Sequence, residues 1–232
     1  MFYKTIMIRI KDDPVSEKYA AFCSRSWTHA GWDLRFYDAV TPETLHLQSG
    51  LTFGTRGNGK ELTDTEKACL YSQYNLWKKC FIENIPMLIL EHDAMLRKPK
   101  MVNYDPNLYA QFLGQHAMEA VMFHPTFAGM LVYHCENNEI SGPMQLVDGL
   151  LGYFRTGKQS RYALPHARYI GPHAPVHSVL DPTIGTSVAH GGGSTADRVA
   201  KSFVEKGKLA EHLRSDRDLF RLAKLPELDS YE

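Results

Sequence analysis

Met87-Leu88-Ile89-Leu90-Glu91-His92-Asp93 is the stretch on which the reading of this chain turns, because four wholly apolar residues run straight into acid-x-acid. A run that short and apolar, preceded by Pro86 and stopped by charge, reads as a strand of a buried parallel sheet. Open α/β sheets place ligands at the carboxyl ends of such strands, where Glu91-His92-Asp93 stands. On an extended backbone, side chains two apart share a face, which would aim Glu91 and Asp93 together and His92 away. Two carboxylates on one face make an oxygen-rich half-shell for Mn²⁺ or Mg²⁺, with diphosphate oxygens completing the coordination. Acidic pairs after strands are also common without any ligand.

Upstream, Thr63-Asp64-Thr65-Glu66 is a capping box that opens the clearest helix of the chain. Cys69, Leu76, Trp77, Cys80 and Phe81 form its apolar stripe, and Asn84 with Pro86 ends it. Residues 41–60 dissolve into Pro, Gly, Ser, Thr and Asn, read as a mobile loop near the site or as a plain surface connection. Tyr3 to Ile10 reads as a first buried strand. Asp13-Pro14 starts a helix that Gly31 stops, and Trp32 to Tyr37 reads as a second strand. This βαβ opening predicts a parallel sheet covered by helices.

Downstream, Ala120 to Phe123 and Phe127 to Tyr133 read as strands, Val147 to Phe154 as an apolar patch, and residues 163–193 as loop. Thr195 to Lys224 reads as one or two helices. The expected organisation is a main domain over 1–194 and a helical C-terminal segment over 195–232 packed on it.

Composition narrows the function classes. With 26 Lys+Arg against 26 Asp+Glu, the formal charge is zero, which argues against a chain that wraps nucleic acid over its whole surface. No segment reaches the length of a membrane span, and the first residues are too briefly apolar for a signal peptide, so the expected location is cytoplasmic. Cys23, Cys69, Cys80 and Cys135 show no CxxC spacing and read as buried thiols.

The stretch Leu62-Thr63-Asp64-Thr65-Glu66-Lys67-Ala68-Cys69-Leu70-Tyr71-Ser72-Gln73-Tyr74-Asn75-Leu76-Trp77, followed by Leu88-Ile89-Leu90-Glu91-His92-Asp93-Ala94, resembles glycosyltransferase family 25. That family includes lipooligosaccharide galactosyltransferases and collagen galactosyltransferases. Asp38-Ala39-Val40 resembles the end of the family's second strand, and Leu146-Val147-Asp148 its later Pro-Val-Asp element. The likeness covers roughly the first two thirds of the chain. Gln73 and His92 depart from the family's His and Asp, and Arg9-Ile10-Lys11-Asp12 replaces its Asn-Leu-Asp-Arg-like segment.

The resemblance implies a GT-A-like, Rossmann-like mixed sheet flanked by helices. It implies metal-dependent, inverting transfer of a sugar from a nucleotide diphosphate donor, UDP-linked, to an acceptor hydroxyl. The donor contacts it points to are Arg9, Glu66, Ser72, Glu91 and His92. Asp93 and Glu91 would hold the Mn²⁺ or Mg²⁺, with His190, beside Gly191-Gly192-Gly193, as a late ligand. Asp148 is the candidate base for the acceptor's proton, with a helix N-cap as its alternative role. Two other readings stay open. Tyr153, Phe154, Tyr162 and Tyr169 interleaved with Arg155, Arg161 and Arg168 fit a hydroxymethylated DNA acceptor of the phage type, acting in the host cytoplasm. The changes at Gln73 and His92 fit a non-catalytic binder of glycan or nucleotide.

Overall fold

The structure, a computed structural model, describes residues 3–56, 59–97, 99, 102–114, 119–141, 167–169 and 175–178. Its main sheet has six strands: β1 (Lys4–Arg9), β2 (Leu34–Asp38), β3 (Met87–Leu90), β5 (Ala110–Phe112), β6 (Ala120–Phe123) and β7 (Ala167–Tyr169). Their order is β2-β1-β3-β6-β5-β7, while β4 (Ala94–Leu96) pairs with β8 (Val176–Ser178) in a second, two-stranded sheet. β1 is parallel to both β2 and β3. β6 runs antiparallel to β3 and β5, and β7 returns parallel to β5. The expected mixed α/β sheet flanked by helices is therefore what the chain forms.

Local sequence explains the helix ends. α1 (Pro14–His29) has Pro14 at its first position and Asp13 as cap, whose carboxylate accepts from the Ser16 amide at 2.6 Å. It stops at Gly31, whose φ of 84° suits a residue without a Cβ. α2 (Asp64–Glu83) begins with the reciprocal capping box: the Glu66 amide donates to Thr63 Oγ1 at 3.2 Å and the Thr63 amide to Glu66 Oε2 at 2.9 Å. Asn84, left-handed at φ 52°, closes it. Replacing Thr63 with alanine is expected to lower stability by about 1 kcal/mol. An unchanged midpoint in urea unfolding would show that the box contributes nothing.

The first crossover runs from β1 out to β2 and the second returns from β2 past β1 to β3, so the right-handed rule puts α1 and α2 on opposite faces of the sheet. Ile6, Met87, Ile89, Val121 and Phe123 pack with Leu70, Leu76 and Trp77 of α2 in one core. α3 (Pro125–Asn137) joins that core through Phe127, Ala128, Leu131, Val132 and Cys135. Alternation sends Met7, Leu88, Leu90 and Met122, all buried, to the other face, toward α1. Trp27 and Trp77 are the largest side chains buried without measurable exposure. Each contributes on the order of 1.5–3 kcal/mol or more through the apolar area it removes from water.

Four expectations change. Phe127 to Tyr133 is not a strand but the middle of α3, because Pro125 at the first position follows His124, whose ring nitrogen caps the Thr126 amide, and the buried positions recur at helical spacing. Residues 41–60 are not featureless: a 3₁₀ helix spans Pro42–Leu47, and Phe53 and Thr55 make bridges to Ile140 and Glu61. The stretch read as loop from 163 contains β7 and β8. Cys69 is exposed while Cys23, Cys80 and Cys135 are buried, and no cysteine is in a disulfide. Burial pushes the Cys80 and Cys135 thiols up to about 12, so neither is a nucleophile at neutral pH. The expected boundary at 194/195 and the helical segment beyond it lie outside the described residues.

Candidate active site

Strand order reverses at β1, since one crossover leads out to β2 and the next returns past β1 to β3. A crevice outside the carboxyl ends of β1 and β3 is the position where doubly wound sheets hold ligands. The segments at those carboxyl ends are Ile10 to Asp13 after β1, and Glu91 to Asp93 after β3. The start of β6 adjoins them, because the Glu119 carbonyl accepts from the Glu91 amide at 3.0 Å.

The backbone does not stay extended through 91–93. β3 ends at Leu90, and the Ala94 amide donates back to the Glu91 carbonyl at 3.1 Å, closing a turn with His92 and Asp93 at its corners. The extended register that would put Glu91 and Asp93 on one face is thus replaced by a turn. Asp93 is 6% exposed, whereas Glu91 and His92 are half-buried. The Asp93 carboxylate lies close enough to α1 to act on two of its side chains. Burial first, and the Asp93 charge second, push the Tyr19 hydroxyl and the Cys23 thiol well above their usual ranges. The His92 ring stands 6.4 Å, centroid to centroid, from the Tyr19 ring.

The other expected residues are distributed around this turn. Arg9, at the carboxyl end of β1, pairs through Nε with Asp38 Oδ1 at 3.0 Å, and its guanidinium lies 4.9 Å over the Phe36 ring. Glu66 is buried at the start of α2, held by Thr63 and by the Arg56 guanidinium. Burial raises the Glu66 carboxyl, but the Thr63 amide, Arg56 and the Thr63 hydroxyl outweigh it, and its pKa falls below the usual value. Ser72 Oγ is buried, accepting from the Val40 amide at 2.8 Å and donating to the Ala68 carbonyl at 3.0 Å. It ties α2 to the chain leaving β2. Asp148 and His190 lie outside the described residues.

Among the described residues no group of three His, Cys, Asp or Glu side chains is arranged to hold a metal. Glu91 and Asp93, in one three-residue turn, carry the hard oxygen donors that Mn²⁺ or Mg²⁺ takes. Sequence reasoning missed Asp38, Tyr19 and Trp27. Asp38 enters through strand register, opposite Arg9. Tyr19 and Trp27 stand in α1, where the sequence carries no mark of what a helical side chain faces.

The profile of glycosyltransferase family 25, described as an LPS biosynthesis protein, matches residues 17–136, just over half of the chain. Glu66, Ser72, Glu91, His92 and Asp93 fall inside that span; Arg9, Asp148 and His190 fall outside it. The lipooligosaccharide biosynthesis protein lic2B of Haemophilus influenzae is 39% identical over 62 residues, covering 26% of this chain and 23% of that protein. The match therefore spans under a quarter of that relative's length. A glycosyltransferase involved in glycosylation of the major capsid of PBCV-1 superposes with a TM-score of 0.44 and 9% identity, over 74% of this chain and 83% of its own. A mutant Drosophila β-1,4-galactosyltransferase 7, in complex with manganese, UDP-Gal and xylobiose, superposes with a TM-score of 0.38 and 6% identity, over 86% and 79% of the two chains.

Proposed function

Since this chain belongs to glycosyltransferase family 25, we propose that it transfers a sugar from a nucleotide diphosphate donor, UDP-linked, to the hydroxyl of a glycan acceptor. The observation that carries this reading is the acidic turn Glu91-His92-Asp93 at the carboxyl edge of β3, beside the point where strand order reverses. A glycan acceptor accords with the family's description and with the lipooligosaccharide relative.

Glu91 and Asp93, with His190, would hold the Mn²⁺ or Mg²⁺, whose charge when bound neutralises the leaving diphosphate. Arg9, at the carboxyl end of β1, and His92, in the turn after β3, would meet the donor directly. Glu66 and Ser72 serve it by holding the start of α2 and the chain at Val40. Asp148 would take the acceptor proton as the hydroxyl oxygen bonds to the sugar's anomeric carbon. The bond from that carbon to the diphosphate oxygen breaks on the opposite side, its electron pair leaving with the nucleotide, and the anomeric centre inverts.

A hydroxymethylated DNA acceptor has no described feature behind it, because the side chains of the aromatic and basic stretch from Tyr153 to Tyr169 lie outside the described residues. Among the described residues no helix is long and apolar enough to cross a membrane. The deciding assay is release of UDP from UDP-sugars, with and without a saccharide acceptor, in Mn²⁺ and then in excess EDTA. The reading expects release that EDTA abolishes and that an acceptor accelerates. Donor bound without any turnover would instead favour a non-catalytic binder.

A further inference from the structure

β4 leaves the acidic turn with two backbone edges to satisfy. In a strand, the N–H and C=O groups of residues i and i+2 point to the same edge. Met95 and Arg97 share the edge toward β8, where the Arg97 amide donates to the Pro175 carbonyl at 2.8 Å. Ala94 and Leu96 share the other. Among the described strands none pairs with that edge, and α1 occupies it with side chains. Trp27 Nε1 donates to the Ala94 carbonyl at 2.9 Å, and the Leu96 amide donates to Ser26 Oγ at 3.0 Å.

Successive residues of one helix thus supply the donor and the acceptor that a neighbouring strand would supply. Both are themselves held. Trp27 is completely buried and meets the Trp32 ring edge-on at 5.3 Å, and the Ser26 hydroxyl donates to the Cys23 carbonyl at 2.6 Å. The peptide they clamp follows directly on Asp93.

We propose that Trp27, assisted by Ser26, is a positioning residue for the acidic turn: it touches neither donor nor cation, but sets where the Asp93 carboxylate stands by fixing the Ala94 carbonyl. The inference rests on the reading of Asp93 as a metal ligand. Groups that orient a ligand in this way are worth about 10–100-fold in metal affinity. A helix used as a substitute strand also accounts for a tryptophan there, since a Phe, smaller by one ring and without the indole N–H, would leave the carbonyl without its donor.

The test is Mn²⁺ binding by the purified full chain in the presence of UDP, followed by loss of the free-ion EPR signal, with melting temperature measured on the same samples. Trp27→Phe is expected to weaken Mn²⁺ binding about tenfold. Ser26→Ala should weaken it by a smaller factor, and it carries the test if Trp27→Phe fails to fold. Phe127→Leu, in the core on the opposite face, should bind Mn²⁺ as the wild type does even where its melting temperature falls as far. Wild-type Mn²⁺ affinity in both α1 variants overturns the inference. So does an equal loss in Phe127→Leu, which would reduce the effect to general softening. No Mn²⁺ binding by the wild type would overturn the metal reading and the inference with it, and is told apart by the wild-type sample alone.

Discussion

Asp93→Asn is expected to abolish metal-dependent release of UDP, lowering turnover roughly 10³-fold, while the protein stays folded. The magnitude follows from the several kcal/mol of transition-state charge stabilisation that a bound cation supplies, at about 1.4 kcal/mol per tenfold. Asparagine keeps the volume of the side chain, so the buried site gains no cavity. What it removes is a negative charge that already acts on Tyr19 and Cys23 across the interface with α1. Far-UV circular dichroism should overlay the wild type. UDP release in a saturating Mn²⁺ series gives the kinetic answer, because activity lost only through weaker metal affinity would return at high Mn²⁺. Near wild-type turnover in Asp93→Asn that EDTA still abolishes would move the cation to other ligands.

Asp148→Asn should cut sugar transfer by a factor on the order of 10²–10⁴, the usual contribution of a positioned general base. Donor affinity should be close to wild type, because the base meets the acceptor and not the diphosphate. The slow hydrolysis of donor by water should suffer less than in Asp93→Asn. If Asp148 instead caps a helix before Gly149-Leu150-Leu151, asparagine caps about as well and transfer stays normal. Transfer rate, donor affinity and melting temperature on one preparation separate the two roles. Normal transfer would reject the base assignment and turn attention to Asp181 or Glu139.

Much of the frame was legible because its signals are local. Met87 to Leu90 is too short and too apolar to be anything but a buried strand, and all four residues are buried. Asp13-Pro14 and Thr63 to Glu66 specify helix starts through bonds made within four residues, so no distant partner is needed to read them. The parallel βαβ opening and the acid at the carboxyl end of β3 followed from the same short-range rules, and they located the candidate site.

Where sequence reasoning erred or fell silent, the deciding contact was long-range. Phe127 to Tyr133 carries Phe127, Val132 and Tyr133, residue types that suit a strand by propensity, but packing of Phe127, Leu131 and Cys135 into the core with α2 selects the helix. The strand that follows the turn at 91–93, β4, meets β8 on one edge and Ser26 and Trp27 on the other, the helix contacts spanning 70 and 67 residues along the chain. The Arg9–Asp38 pair exists because parallel register sets those residues side by side. Sequence by itself determined which segments are strands and helices at their best-signalled ends, and that acids close β3. Tertiary structure alone decided how those acids are turned and which helix holds the strand that follows them, because a side chain's partner across the sheet leaves no trace in the residues beside it.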